Sequence, residues 1–385
     1  MKSCLRVPRV ILPQRGFETW AVIAPDAFDW AYWKKVVSQV GDEPSVLGFL
    51  LPEPFWEAAG ENAPERLARQ MYSALEAGQL EKLNRGFVLT VRQTPAGERK
   101  GIIASVDLEE FSCIDGESAP IHSAQEADFA KAERLLSVRR ATPLEFPHAV
   151  LVYRDKRDKI VRGLEKEDLE QIYDFELMLG GGRITGYFIP DYMAVEVAQA
   201  LRSKAEPNFA VLDGEESLAA AKAHWQQLKA GLTEEEQRNH PARFALVELV
   251  NLDSEAVSLA PVHRLVEGVD TEAFCDYFMR EMPCKRNGNV LYPKDAEIAE
   301  AARKTDALIA RFVRANTGTL RYIHGEEALL KGAEEDGCAG VALKGIGKEE
   351  LFPALKGGRV LPKVFSLGDD AEKRYCLEGR EISYD

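Results

Sequence analysis

Four apolar residues, Phe209 to Leu212, run directly into Asp213-Gly214, and a helix-forming stretch follows from Glu215 to Leu228. The apolar run has the length of a short buried strand, and the glycine breaks it just before the helix begins. Leu218, Ala221, Trp225 and Leu228 share one helical face, while Lys222, Gln226 and Lys229 fall largely outside it. The helix therefore needs a sheet to cover. A strand, a tight glycine turn and a helix N-terminus also make an anion-binding device, because free backbone N–H groups and the helix dipole point at one spot. Glu215 and Glu216 stand at that spot and oppose an anion there.

At 385 residues the chain is too long for one compact core, so two or three domains are expected. A net charge of -14 with no basic stretch to offset it excludes a nucleic-acid binder held by phosphate contacts. The cysteines Cys4, Cys113, Cys275, Cys284, Cys338 and Cys376 are scattered without a Cys-x-x-Cys pair, so reduced thiols rather than a zinc site are expected. No apolar run suits a signal peptide or reaches the roughly 20 residues needed to span a bilayer. The expectation is a cytoplasmic protein with no membrane partner.

Along the chain, Ala21–Ala24 reads as a short strand, and Asp29 as the N-cap of a helix with Trp30, Trp33, Val36 and Val37 on one side. Phe87–Arg92 and Ile102–Val106 read as strands joined through Thr94-Pro95-Ala96-Gly97. The charged stretch from Gln125 to Arg140 reads as a helix or an ordered loop, and His148 as a structural residue at the start of a strand. Gly180-Gly181-Gly182 before Arg183 has two readings: a nest of N–H groups for an anion with Arg183 as counter-charge, or a hairpin tip that needs positive φ. Thr233 and Glu236 match a capping box. Phe244–Val250 and Val257–Leu265 read as strands, the second bringing His263 and Arg264 to its end. Helices are expected over Glu272–Glu281 and Ala296–Ala315.

Several blocks in this order resemble a prokaryotic family catalogued as domain of unknown function 1015. They are Tyr173–Gly182, Asp213-Gly214 with Ser217–Lys222, His240–Asn251, Pro261–Arg264, Tyr322–Glu326, and Leu361–Gly368 with Glu372–Tyr375. The resemblance spans essentially the whole chain and brings no established activity with it. The family's usual turn reads Asp-Gly-His-His-Arg, or Asp-Gly-Asn-His-Ser in the branch this chain resembles most. That turn is similar to the Gly-x-x-Arg or Gly-x-His-Arg phosphate turn of ParB-like and sulfiredoxin-like domains, some of which hydrolyse nucleotides or transfer phosphate. The resemblance implies a nucleotide or phosphometabolite site built from the turn and a nearby His-Arg pair. This chain departs from the pattern in several places. Glu215 and Glu216 replace the Asn-His, Arg183 stands where the glycine hairpin usually has His, and His122–Arg140 matches its segment poorly, with Glu126 in the place of that segment's acid.

Physically, Asp213 and Glu216 fit the Asp-x-x-Glu form of a capping box, and acids in a first turn gain roughly 0.3–1 kcal/mol each from the helix dipole. The same acids repel a phosphate by about 4 kcal/mol at ~4 Å and an effective dielectric near 20. In one functional reading Asp213, Glu215 and Glu216 hold Mg²⁺, which bridges to phosphates held by Arg183, His263 and Arg264. In the other the site is degenerate and the chain is a non-catalytic binding or scaffold protein. A Ser217 hydrolase lacks a nucleophile-elbow pattern around it. Lys222 reads as a surface residue, and Arg264 either as a site residue or as a structural ion-pair partner.

The expected fold is α/β (α+β mixed): a mixed central sheet with the strand–turn–helix over residues 1–268, and a smaller helical and α/β domain over 269–385. Candidate phosphate- or nucleotide-binding residues are Asp213, Gly214, Ser217, His263, Arg264, Arg183, Gly181, Gly182 and Glu126. The cofactors implied are Mg²⁺ and a nucleotide, and the partner a small phosphorylated molecule. If the protein is an enzyme, phosphoryl transfer or nucleotide hydrolysis is the class implied.

Overall fold

A computed structural model describes residues 4–23, 30–202, 207–294, 297–368 and 372–384, apart from the side chain of Glu57. The cap expected at Asp29 lies outside the described residues, as do Ala24 and Ala296 at the ends of expected elements. The chain forms two compact units. One takes in Met1–Val257, Lys356–Arg359 and Asp370–Asp385, and the other Ser258–Leu355 and Val360–Asp369.

In the first unit the elements are β1 (Leu5–Arg6), β2 (Arg9–Pro13), α1 (Trp30–Val40), α2 (Ala63–Glu76), β3 (Leu80–Thr94), β4 (Gly97–Asp107), β5 (Phe111–Ser112), β6 (Ile121–Ser123) and α3 (Phe129–Ala141). They continue with β7 (Val150–Tyr153), β8 (Glu170–Glu176), β9 (Arg183–Pro190), α4 (Asp191–Ala200), β10 (Phe209–Asp213), α5 (Glu215–Lys229) and β11 (Phe244–Asn251). The strands form one mixed sheet in the order β5-β6-β10-β7-β11-β4-β3-β9-β8, with β1 beside β4 and β2 beside β3. β3 and β4 are the expected hairpin, Thr94 pairing Gly97 across Pro95-Ala96.

Alternation along the strands feeds a core on each face. Phe87, Leu89, Ile102, Ala104 and Val247 join one cluster with Leu218, Ala221 and Trp225 of α5. Val88, Ile103 and Leu246 join the other with Trp20, Trp33 and Met71. The central strands are thus covered on both sides, which is why β10 and β11 are apolar almost throughout.

The strand expected at Ala21 to Ala24 is reduced, among the described residues, to one bridge between Ile23 and Arg374. Its partner is the tail, residues 372–384, which returns to this unit. Arg92 and Arg99 both donate to the Glu372 carbonyl. Arg374 lies 2.9 Å from Glu378 and 3.8 Å from Glu248. Thr90 donates to Glu248 at 2.9 Å, and the Tyr173 hydroxyl donates to Glu378. Gly101 has no room for a side chain here, since a Cβ would stand 2.3 Å from a Glu248 carboxylate oxygen.

The second unit contains β12 (Leu259–Glu267), α6 (Thr271–Glu281), β13 (Cys284–Asn287), β14 (Val290–Pro293), α7 (Ile298–Ala315), β15 (Thr319–His324), α8 (Glu326–Ala333), β16 (Cys338–Val341) and β17 (Phe365–Leu367). Its sheet runs β13-β14-β16-β12-β15, with β17 on β12. Leu265, Val290, Leu329, Ala333 and Cys338 form a core cluster within it. No described helix is long and apolar enough to cross a membrane.

Candidate functional site

The strand–turn–helix forms as its residues dictate, but its cap differs from the expected one. The N-cap of α5 is Gly214, at φ +85, and no side chain caps the helix. Its backbone lies so close to β7 that a Cβ would meet the Cα of Ala149 at 2.7 Å. Asp213 is buried and pairs at 3.0 Å with Lys373 of the tail, itself buried. A full charge outcompetes a local backbone N–H for that carboxylate. Glu216 accepts the Asp128 N–H at 3.3 Å, and Asp128 in turn caps α3 through Ala130 and Lys131. The first turn of α5 is thereby tied to the start of α3. By contrast, Thr233 and Glu236 form the expected capping box.

The remaining candidates belong to other elements. Gly181 and Gly182 sit in the turn between β8 and β9, where Arg92 donates to the Gly181 carbonyl at 3.0 and 3.2 Å. The Gly181 N–H bonds to Met178, and a Cβ at Gly182 would stand 2.1 Å from the Gln93 carbonyl. Close approach to Leu177 and Ile23 at Gly181, and close approach with a positive φ at Gly182, account for both glycines as parts of a hairpin tip. Arg183, half exposed, pairs with Asp174 at 2.8 Å and Glu176 at 3.5 Å. Glu126 is exposed between β6 and α3.

His263 and Arg264 belong to the second unit. The His263 Nδ1 accepts the Leu343 N–H at 3.2 Å, and burial pushes its imidazole pKa down. Arg264 is fully buried, bidentate on Asp306 at 2.7 Å, bonded to the Val262 and Lys363 carbonyls, and stacked over Tyr322. Every face of that guanidinium has a structural partner. Among the described residues no group of three or more His, Cys, Asp or Glu side chains is placed to hold a metal ion.

Ser217 differs from the others because it lines a cavity of about 780 Å³ in the first unit. The wall is largely apolar: Phe49, Leu51, Trp56, Met71, Phe146, Leu218 and Ala221. The polar lining includes Arg134, Arg139 and Arg140 of α3, Glu145, His148, and Tyr375 of the tail. Glu61 and Glu65 also line it and are exposed.

Charge is unbalanced at one end of this cavity. Glu145 bonds to Arg139, to Arg380 at 3.1 Å and to the Leu246 N–H at 2.8 Å. Burial works to raise the Glu145 carboxyl, but the two guanidiniums outweigh it and hold it below its usual range. Two cations around one carboxylate leave one positive charge over, with Arg139 on the cavity wall and Arg380 outside it. Among the described residues the Arg140 side chain bonds only to the neutral Gln227, and Arg134 stacks over Trp56 at 5.1 Å. His224 of α5 registers the same field: burial, then Arg139 and Arg140, push its imidazole down to about 4.

A pH dependence follows. A histidine depressed on folding contributes stability above its unfolded value, and that contribution is lost as pH falls toward the folded one. Between pH 6.5 and about 4 His224 should remove up to about 1.4 kcal/mol per pH unit. Urea midpoints of His224→Gln should be flatter than the parent's over pH 6.5 to about 5, above the ordinary carboxylate range. Equal slopes would show that His224 does not titrate on unfolding.

Sequence reasoning missed this site because it is assembled from separated stretches. Arg139-Arg140, at the end of the charged stretch, was its visible signal. Lys222 is also more than a surface residue: it is half-buried and donates to the Phe111 carbonyl.

A family model described as "Protein of unknown function (DUF1015)" matches residues 9–324. The chain belongs to that family. No curated protein sequence matches this DUF1015 chain. Among solved structures it is similar to a conserved hypothetical protein from Pyrococcus furiosus, at 11% identity and TM-score 0.38, covering 73% of this chain and 95% of that one. A free serine kinase in complex with AMP matches at 12% identity and TM-score 0.39, covering 69% and 86%. SbnI from Staphylococcus aureus, with a C-terminal truncation, matches at 10% and 0.37, covering 69% and 82%.

Proposed function

We propose that the first unit binds a small phosphorylated molecule, a nucleotide or a phospho-acid, in the cavity beside α5. The observation that carries this is the row Arg134, Arg139 and Arg140 of α3 on the wall of a largely apolar cavity, of which, among the described residues, only Arg139 has a carboxylate partner. A concave, mostly apolar pocket with a few converging polar groups is the usual form of a small-molecule site. The anion faces Arg139, Arg140 and Ser217, and the flat or apolar part lies against Trp56 and Phe146. The likeness of the family's turn to a ParB-like or sulfiredoxin-like phosphate turn supports a phosphate-binding ancestry. In this chain the anion's seat is α3 rather than the turn, because Lys373 and Ala149 already fill the space around Asp213-Gly214.

The test is calorimetry of the full chain with AMP, ADP, ATP, CTP and small phospho-acids, with and without Mg²⁺, since a nucleotide carries that ion on its own phosphates. Micromolar to millimolar binding is expected, weakened about tenfold by Arg140→Gln, because a charge-assisted hydrogen bond is worth about 1.5–3 kcal/mol. No heat and no fluorescence change at millimolar ligand would overturn the reading.

The occupied turn favours a second reading, a non-catalytic scaffold whose phosphate turn has been filled from within. Under it, Glu215→Asn with Glu216→His gains no nucleotide binding, because Lys373 and Ala149 remain. A gain in affinity would exclude it.

A further inference from the structure

The second unit carries a concentration of positive charge that the cavity reading does not use. β13 and β14 pair antiparallel with Lys285 directly opposite Tyr292. Side chains alternate along a strand, so Lys294, two residues beyond Tyr292, belongs to the same face as Lys285. β14 and β16 run parallel with Leu291 opposite Val341, a register that brings Lys294 level with Lys344. The ladder continues toward this end, with Lys294 N–H donating to Pro283 at 3.0 Å and Ala342 N–H to Leu291 at 2.8 Å. Lys285, Tyr292, Lys294 and Lys344 line one open hollow of about 570 Å³, together with Arg286 and Asn287.

We infer that this hollow binds a molecule carrying two or more linked phosphates. Arg286 is held by Glu272 at 2.9 Å, so its charge is compensated. Lys285, Lys294 and Lys344 are exposed, and none has an ion-pair partner among the described residues. Like charges set across neighbouring strands repel and destabilise a sheet, so three lysines on one face call for an anion between them. Protection of a free sheet edge explains Lys285, because β13 is the edge strand. It does not explain Lys294 and Lys344, which follow the interior strands β14 and β16. Neighbouring strands stand about 4.8 Å apart and same-face residues about 7 Å apart along a strand, a spread that suits several linked anionic groups better than one. The Tyr292 hydroxyl already bonds to Glu326, so recognition rests on charge.

The experiment is calorimetry of the full chain with tripolyphosphate, orthophosphate and an oligoaspartate peptide at two salt concentrations. Tripolyphosphate is expected to bind more tightly than either other probe and to weaken as salt rises. The combined Lys285→Gln, Lys294→Gln, Lys344→Gln variant should lose at least about tenfold in affinity for it with a melting temperature no lower than the parent's. Arg238→Gln, which removes an exposed cation belonging to neither the hollow nor the cavity, should bind it as the parent does. Loss of binding in Arg238→Gln, parental affinity in the triple variant, or equal binding of the peptide would each overturn the assignment.

Discussion

Arg374→Met is expected to lower the stability of the first unit by about 3–5 kcal/mol, the range seen when one partner of a buried ion pair is removed. The side chain of Arg374 is 1% exposed and stands between the buried carboxylates of Glu248 and Glu378. Without it those acids keep Thr90 and Tyr173 as hydrogen-bond partners but lose their principal counter-charge. Burial by itself would raise the Glu248 carboxyl; Arg374, Arg99 and the Thr90 hydroxyl outweigh it and hold the group below the usual carboxylate range. In the parent that contribution is complete above pH 4.5 and is lost as pH falls through the lower folded value. In the variant the balance reverses, and the acid prefers its protonated form. The deficit relative to the parent should therefore narrow from pH 7 to about pH 4.5. Urea unfolding followed by tryptophan fluorescence isolates the relevant unit, because Trp20, Trp30, Trp33, Trp56 and Trp225 all belong to it. A deficit under about 1 kcal/mol at pH 7, or one unchanged by acid, would show that the network is not a set of interdependent charges.

Gly214→Ala should be the second severe change, at about 2–4 kcal/mol. A left-handed backbone costs a side-chain-bearing residue roughly 1–2 kcal/mol, and overpacking adds about 1–3 kcal/mol. Both apply, since φ is +85 and the added Cβ would lie 2.7 Å from the Cα and 2.8 Å from the Cβ of Ala149. Backbone cannot swing aside as a long side chain can. Gly231→Ala is the matched control: its Cβ would meet only the Leu228 carbonyl, at 3.7 Å, and its φ is ordinary. Thermal melts should show a large loss for the first and almost none for the second. Because Ser217 sits on the first turn of α5, Gly214→Ala should also weaken any cavity ligand. Equal melting temperatures for the two variants would contradict the close approach.

Much of this fold is legible in the sequence. The run Phe209–Leu212 with Gly214, and the pair Phe87–Arg92 and Ile102–Val106, carry local signals strong enough to place β10, α5, β3 and β4. The site was harder to read. Asp213 fits a capping residue by its neighbours, yet its partner is Lys373, far along the chain, and no periodicity links the two. The cavity joins Trp56, Arg139, Phe146, Ser217 and Tyr375, which share no spacing. Gly288-Asn289 is a hairpin signal, and it closes the β13–β14 hairpin whose strands lead to the lysine-lined hollow. A reading weighted toward apolar runs passes over strands as short and as charged as Cys284–Asn287.

The return of residues 372–384 to the first unit bears on how the chain is made. A ribosome delivers β3, β4 and β11 long before the tail, and nascent domains generally begin to fold as they emerge. Until the tail is translated, Arg92, Arg99 and Glu248 face one another without Arg374 and without the Glu372 carbonyl. The second unit is delivered whole in that interval. The later-made unit is thus free to reach its native state first, while the earlier one waits as an incomplete sheet. That delay is when a chaperone has most to do, and it makes residues 372–384 the step that completes the first unit.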